Sequence, residues 1–336
     1  MKFFNFLEKH MLSLTLSLIV INTLLGVYFH SVYHFLKPTL PLALFVMLYP
    51  MMIGPDFRRL ENFGQNGKYV WSNLLLNLII SPLLIYLLLQ FIPINNPAFL
   101  AGMVIIAVAP MAGSGAAFTG LAGGSVPLVL LGTTLTLLIS IVSVPFYTKL
   151  LVGRMIYVPV SKLIYSISVY VVIPLILGQL TRYWWIHRKG EDHFKAHKKI
   201  LPGISMIGMY WMVVMVFGLE GAIILKHPEL ALKAILVMLI FYVVLFVLSL
   251  IIAHVWKFRY PDAAALYYSI CKNMSISTAL AISSFGPIGG IGAAMGGPFT
   301  DMPLMILSVR FLPRIKSWFK PESEENSVSV SQEVPK

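Results

Sequence analysis

Residues 109–115 have the sequence APMAGSG and interrupt an apolar stretch that extends from residue 97 to residue 121. A second interruption, KNMS at residues 272–275, lies inside the apolar stretch 262–284. Paired interruptions are typical of secondary transporters, whose binding site forms where broken helices meet near the middle of the membrane. The alternative is that glycine and proline here only let neighbouring helices pack closely. The presence of two such breaks favours the first interpretation.

The composition indicates a membrane protein. Of the 336 residues, 58% are hydrophobic and only 11% are charged, and the mean hydropathy is +0.84. Soluble domains typically contain about 25% charged residues. We therefore expect an all-α polytopic membrane protein, and we exclude a secreted enzyme, a cytosolic dehydrogenase and a DNA-binding domain. The single cysteine, Cys271, excludes an intramolecular disulfide and a metal cluster built from cysteines alone.

The hydropathy pattern predicts ten membrane spans, because a transmembrane helix needs about 20 mostly apolar residues. The first span is expected to be retained as a helix, since it is too long for a signal peptide and lacks its cleavage site. Spans four, nine and ten are interrupted. The ten spans are 11–29, 37–54, 70–91, 97–121, 127–150, 158–184, 200–225, 230–256, 262–284 and 291–312.

The basic residues predict the orientation of these spans. With the N-terminus in the cytoplasm, the inside segments contain 18 of the 25 Lys and Arg residues and the outside segments contain 6. These 24 lie in loops or near the ends of spans, and only Lys272 lies well inside one. Since basic loops stay on the cytoplasmic side, we expect a multi-pass protein of the cell membrane with both termini cytoplasmic. The net charge of +12 then reflects topology and not nucleic-acid binding.

The broken spans, four and nine, are each the fourth span of a half that contains five. Because five is odd, the two halves are predicted to be inverted repeats. In this division, residues 1–184 hold the first repeat and the start of the second (helices 1–6). A basic cytoplasmic loop (185–199) and helices 7–10 (200–312) follow. Residues 313–336 are predicted to be a disordered tail, because they lack the apolar content to pack.

Lys272 is the most informative residue, because a lysine at the centre of a span costs about 2.5–3.5 kcal/mol on insertion scales. It needs a polar cavity or a counter-charge, and Asp301 on span ten is the candidate counter-ion. One interpretation is a structural ion pair that fixes helix register. The other is a titratable or substrate-facing cation. Burial and a neighbouring carboxylate shift a lysine in opposite directions, so proton coupling stays open.

Other polar residues lie at membrane depth. Glu220 on span seven is a substrate contact, a proton site or an interfacial residue. Asn77 lies four residues after Asn73 on one face of span three, and Thr133 belongs to a threonine cluster on span five. These side chains line a cavity or form ordinary interhelical hydrogen bonds. The histidines show no metal-ligand spacing and no ATP-binding motif is present, so no metal and no cofactor are expected.

Three stretches, in this order and spacing, resemble the bile acid:sodium symporter family, within the wider group that includes the arsenite exporters. They are Met52–Arg59 (MIGPDFRR), Ala109–Leu151 and Lys272–Leu304. The resemblance implies ten helices in two inverted five-helix repeats. It also implies a core domain of helices 3–5 and 8–10, in which broken helices 4 and 9 cross, and a panel domain of helices 1, 2, 6 and 7. Substrates are expected between the domains, with sodium near the crossing.

The sodium-site residues differ from the family pattern. The family's Ser-Asn pair in helix four falls on Gly115-Ala116 here, its helix-nine glutamate on Tyr268, and the following glutamine on Lys272. The amide on helix three (Asn77) and the threonine on helix five (Thr133) are kept. We therefore expect the ammonium of Lys272 to replace bound sodium, so that transport is sodium-independent and either proton-coupled or a uniport.

The sequence thus predicts a secondary active transporter of a small organic anion that works by alternating access, and not an enzyme. The alternative is an exporter of arsenite or another solute, although the position of the arsenite branch's helix-four cysteine is taken here by Met111. The expected partners are the anion and the lipid bilayer. The oligomeric state is left open. The predicted substrate- or ion-binding residues are Asn77, Ser114, Gly115, Thr133, Lys272, Asn273, Asp301 and Glu220.

Overall fold

A computed structural model describes residues 10–58, 64–153, 158, 160–226 and 228–319. The secondary structure of these residues is helical, without a strand, and Met111 and Lys272 form an isolated backbone bridge. Six helices in the described part of the chain are long and apolar enough to cross a membrane. They are His30–Ile53, Gly67–Phe91, Val126–Val152, Val160–Lys189, Leu201–Ala222 and Pro228–Val255. The expectation of an all-α multi-pass membrane protein is confirmed.

Shorter helices account for the other predicted spans. The fourth span consists of Pro97–Val108 and Ser114–Leu121, and the ninth of Tyr260–Tyr268 and Met274–Phe285. At 1.5 Å per residue, the 12-residue helix Pro97–Val108 is about 18 Å long, too short to cross a hydrocarbon core of about 30 Å alone. The remaining helices are Met11–Tyr28, Glu191–His197, Pro287–Ala294 and Met302–Phe311.

The predicted interruptions are present in the structure. Residues 109–113 and residues 269–273 are not helical, and we call them the first and the second break. In the tenth span, a π-helical stretch, Gly297–Asp301, lies between two α-helices. A second π-helical stretch, Leu75–Ile80, interrupts the helix Gly67–Phe91, and the sequence pattern had not indicated it. Such insertions turn the following residues to a different helix face.

The helices pack in two groups. Met11–Tyr28, Leu40–Ile53, Ile173–Lys189 and Leu201–Lys226 contact one another, and the second group contains both broken helices with Val126–Val152 and Pro228–Val255. Glycines allow close approach in both groups. A Cβ atom at Gly26 would overlap the carbonyl oxygen of Gly218, and one at Gly102 would overlap that of Gly289. Small residues at helix contacts are the usual basis of packing in a membrane, where lipid is as apolar as leucine.

The folded part of the chain extends beyond the predicted start of the tail at residue 313. Residues Leu312–Trp318 form a 3₁₀-helix. Leu312 and Ile315 of this helix and the following Phe319 are buried against the rest of the protein. The carbonyl of Trp318 lies 2.9 Å from Nδ1 of His254. The apolar spacing of these three residues outweighs the polar character of the segment as a whole. The rest of the predicted tail, residues 320–336, lies outside the described residues.

Candidate functional site

The two breaks cross each other. The backbones of Met111 and Lys272 form an antiparallel bridge. Beside it, the N–H of Ala112 donates to the carbonyl of Cys271 at 2.8 Å, and the N–H of Asn273 donates to the carbonyl of Pro110 at 2.8 Å. Because unpaired backbone groups are costly inside a membrane, each break supplies the hydrogen-bond partners that the other lost. We call residues 109–113 and 269–273 together the crossing.

Four half-helices end at the crossing. Pro97–Val108 and Tyr260–Tyr268 arrive with their C-terminal ends, and Ser114–Leu121 and Met274–Phe285 begin there. Asn273 caps the last of these helices, because its Oδ1 accepts from the N–H of Ile276 at 3.1 Å. Helix N-termini carry a partial positive charge and C-termini a partial negative charge. The crossing is therefore surrounded by helix ends of both signs.

The side chain of Lys272 is enclosed at the crossing, with 2% of the residue exposed. Its Nζ donates to Oδ1 of Asn77 at 2.8 Å and lies 3.5 Å from the carbonyl oxygen of Ala109. The amide oxygen and the carbonyl at the end of a half-helix thus offset part of the cost of burying the ammonium.

Asn77 is the centre of a buried polar network. Its Nδ2 lies within hydrogen-bond distance of Oδ1 of Asn73, at 2.6 Å, and of the carbonyl of Ser269 in the second break, at 3.2 Å. Asn73 in turn donates to Sδ of Met111 at 3.3 Å, and the N–H of Met111 donates to Oγ1 of Thr136 at 3.2 Å. Asn77 lies in the π-helical stretch Leu75–Ile80. The network joins two helices, Gly67–Phe91 and Val126–Val152, to both breaks.

Asp301 contacts the second break. Its carboxyl group faces the backbone N–H of Lys272, and the two side-chain charges interact electrostatically. Among the ion pairs of the described residues, however, there is no direct pair between Lys272 and Asp301. Oδ1 of Asp301 is buried and has no hydrogen-bond partner. The ammonium is bonded to Asn77, so the sequence identified the two charges but not this contact.

The other four predicted site residues, Gly115, Ser114, Thr133 and Glu220, do not hydrogen-bond Lys272. Gly115 is buried at the crossing, where a Cβ would lie 2.7 Å from the carbonyl oxygen of Tyr268, and the exposed Ser114 precedes it. Thr133 bonds the carbonyl of Val129 in its own helix, and Thr136 makes the contact to the crossing instead. Glu220 interacts with His30, His34 and Lys37 at the contact between the helices Leu201–Lys226 and His30–Leu36.

Tyr242 was not identified from the sequence. Its hydroxyl is buried without a hydrogen-bond partner and interacts electrostatically with Asp301 and Cys271. The signal was present but weak. Tyrosines of membrane helices are enriched near the interfaces, whereas Tyr242 lies in the middle of the apolar helix Pro228–Val255.

These features define a multi-pass helical membrane protein in which two interrupted helices cross at a buried polar centre, the architecture used by secondary transporters. The family model described as "Sodium Bile acid symporter family" matches residues 41–227. The chain therefore belongs to the sodium bile acid symporter family, a family of transporters.

Individual relatives cover nearly the whole chain. An "Arsenical-resistance protein Acr3" of Alkaliphilus metalliredigens is 23% identical over 96% of this chain and 96% of its own length. An uncharacterized transporter of Synechocystis is 23% identical over 90% of this chain and 86% of its own. A second "Arsenical-resistance protein Acr3", from Corynebacterium glutamicum, is 22% identical over 80% of this chain and 76% of its own. The similarity therefore includes both breaks.

Proposed function

We propose that this protein is a secondary active transporter that moves a small organic anion by alternating access and does not use sodium. The observation that carries the proposal is the position of Lys272, whose ammonium is buried at the crossing of the two broken helices. A fixed positive charge in a medium of low dielectric attracts an anion strongly and opposes the entry of a cation. The charge lies where related architectures place their substrates and ions.

The hydrogen bonds of Lys272 support transport without sodium. A sodium ion at the crossing would need oxygen ligands, and the ammonium already holds Oδ1 of Asn77 and the carbonyl of Ala109. In the half-helix Ser114–Leu121, which follows the first break, Gly115 and Ala116 provide no side-chain oxygen. The ammonium thus takes both the oxygen ligands and the charge that a bound cation would have.

The packing of the helices supports alternating access. The group that contains the crossing and the group formed around Leu201–Lys226 are the two bodies that we propose to move against each other. In this proposal the chain has ten spans in two inverted repeats, with both termini in the cytoplasm. The anion binds between the two bodies and reaches Lys272, with Asn77 and Asn273 as further contacts.

Transport by the purified full-length chain tests the proposal. A ligand-dependent thermal-shift screen over bile acids, keto acids, pantoate-like acids and arsenite first identifies a substrate. Uptake of that compound into proteoliposomes is then compared in sodium and in choline at equal ionic strength. We expect equal uptake in both salts and at least a tenfold loss in Lys272→Gln. Lys162→Gln, which removes an exposed lysine, is the matched control and should transport normally.

Two outcomes would contradict the proposal. One is a steep sodium dependence that persists in Lys272→Ala, because the ammonium then does not replace the cation. The other is uptake that grows linearly with concentration and never saturates, since this is the behaviour of a channel and not of a transporter.

Arsenite export is a second candidate function, favoured by the position of the thiol. Two relatives are named as arsenical-resistance proteins, and the chain's one cysteine, Cys271, lies in the second break, where its carbonyl accepts from Ala112. Arsenite efflux from cells that express the protein tests this candidate. If arsenite is the substrate, Cys271→Ala abolishes efflux, whereas organic-anion transport would survive that substitution.

A further inference from the structure

Two buried oxygen atoms without partners lie behind the second break. They are Oδ1 of Asp301, in a residue that is 6% exposed, and the hydroxyl oxygen of Tyr242, in a residue that is fully buried. The two side chains interact electrostatically. A buried polar atom without a partner costs free energy, and a buried ionised carboxylate costs more. The two oxygen atoms therefore need a partner, or a change of charge, that the neighbouring side chains do not supply.

A proton on Asp301 removes the larger of these costs, because a neutral carboxylic acid is cheaper to bury than a carboxylate. The acid also has an O–H that can donate, whereas a carboxylate can only accept. No larger ligand is required, which agrees with the close packing around Cys271, whose Sγ contacts Sδ of Met305 at 3.1 Å.

The surroundings of Asp301 contain few other groups that could carry this proton. The second break contributes Lys272 and Cys271, Pro228–Val255 contributes Tyr242, and Tyr260–Tyr268 contributes Tyr267. The helix Met11–Tyr28, which also contacts the π-helical stretch Gly297–Asp301, has no acidic, basic or histidine side chain. Arg310, on the helix that continues from Asp301, is exposed. Among these groups, Asp301 alone is a carboxyl.

We propose that Asp301 is the site at which the transporter binds a proton together with its anion. The inference rests on the proposed function and specifies its coupling ion. Without substrate, the carboxylate of Asp301 and the ammonium of Lys272 compensate each other's charge across the second break. When an anion binds Lys272, that compensation is lost and the carboxylate takes up one proton to become a neutral acid.

The charges balance in this cycle. The ammonium and the carboxylate together are neutral, and the ammonium, the monovalent anion and the protonated carboxyl are neutral as well. One proton therefore accompanies each monovalent anion, and the occupied centre crosses the membrane without net charge. A charged centre would face a high cost of desolvation at the same depth.

Infrared difference spectroscopy on the purified full-length chain tests proton binding without a substrate. We expect a carbonyl band of a protonated carboxylic acid that disappears reversibly as the pH is raised, and we expect Asp301→Asn to abolish this band. Asp192→Asn, which removes an exposed carboxyl on the helix Glu191–His197, should leave it. In Asp301→Glu the band should persist at a changed frequency. A titrating band that is identical in wild type and both Asp301 variants would overturn the proposal.

Coupling is then measured with the organic acid identified by the substrate screen. An inwardly directed proton gradient should accelerate uptake in wild type and in Asp192→Asn, and it should have no effect in Asp301→Asn. Gradient-driven uptake that survives in Asp301→Asn would overturn the coupling role. If no organic acid is transported, the proposed function fails, while the infrared band still shows whether Asp301 binds a proton.

Discussion

Nζ of Lys272 donates a hydrogen bond of 2.8 Å to Oδ1 of Asn77, which lies 195 residues earlier in the chain. Lys272 belongs to the second break, and Asn77 belongs to the helix Gly67–Phe91. The bond therefore links an intact helix to the point where two broken helices cross. It also explains how a lysine is held at this depth without a direct ion pair, because an amide oxygen and a backbone carbonyl solvate the ammonium.

Asn77→Leu tests this bond. It leaves the ammonium with only the carbonyl of Ala109 at 3.5 Å, and we expect a loss of about 1.5–3 kcal/mol, the range for hydrogen bonds to charged groups. Lys272→Met removes the charge but keeps a side chain of similar length. Because the cost of Asn77→Leu comes from an unsatisfied ammonium, the double variant should be more stable than Asn77→Leu alone. Thermal unfolding in detergent measures all three, and strictly additive losses would contradict the bond.

Gly115 and Gly113 provide a matched pair of substitutions. A Cβ at Gly115 would lie 2.7 Å from the carbonyl oxygen of Tyr268, so Gly115→Ala must move the backbone at the crossing. We expect it to destabilise the protein by about 1–3 kcal/mol, as overpacking does, and to reduce transport. Gly113 has no atom within 4 Å of a built Cβ and a φ of −63°, so Gly113→Ala should be neutral. Equal effects of the two variants would show that the close approach is unimportant.

Asn273 and Asn96 cap half-helices in the same way. The side chain of Asn96 accepts from the N–H of Phe99 at 3.0 Å, and that of Asn273 accepts from the N–H of Ile276 at 3.1 Å. Replacement of either by alanine should cost about 1 kcal/mol of stability, the usual value for a cap. Only Asn273 lies in the crossing, so Asn273→Ala alone should also reduce uptake. Normal uptake by Asn273→Ala would limit this residue to a structural role.

Both breaks and the buried lysine could be predicted from the sequence, because their polar, glycine and proline residues interrupt otherwise apolar stretches. The partner of Lys272 could not be derived in this way. The charge of Asp301 made it the predicted partner of Lys272, but the ammonium bonds the neutral amide of Asn77. Asn77 lies in the π-helical stretch Leu75–Ile80, which determines the face of the helix on which its side chain lies. A π-helical insertion rotates the helix face and leaves no periodic trace in a uniformly apolar segment.

The contacts of the threonines of span five could not be predicted for a related reason. Thr133 was carried over from the family resemblance, and its hydroxyl donates to Val129 in its own helix, whereas the hydroxyl of Thr136, which also donates within its helix, accepts from the N–H of Met111. Three residues on a helix correspond to less than one full turn, so both residues belong to neighbouring faces. The hydroxyl that contacts a neighbour depends on how the helix is rotated in the bundle, and polar spacing alone does not determine that rotation.

Asp56 and Arg182 form an ion pair with a predictable dependence on pH. Nη2 of Arg182 lies 2.7 Å from Oδ2 of Asp56, and its Nη1 donates to the carbonyls of Gly54 and Pro55, so one guanidinium holds the loop after Leu40–Ile53. Burial opposes ionisation of Asp56, but the guanidinium groups of Arg182 and Arg58 outweigh it and hold the pKa of this carboxyl below its usual value.

A carboxyl whose pKa is lower in the folded than in the unfolded protein stabilises the fold at pH values above its unfolded pKa, and this contribution is lost as the pH falls through the folded pKa. Asp56→Asn should therefore cost about 1 kcal/mol at neutral pH, the upper range for a partly exposed pair, and nothing in strong acid. Thermal unfolding of both proteins over a series of pH values measures the difference. Asp192→Asn, at an exposed carboxyl on the helix Glu191–His197, is the control and should follow wild type at every pH. If the difference between wild type and Asp56→Asn grows as the pH falls, the ion pair is not what holds this loop, because the sign of the linkage would be reversed.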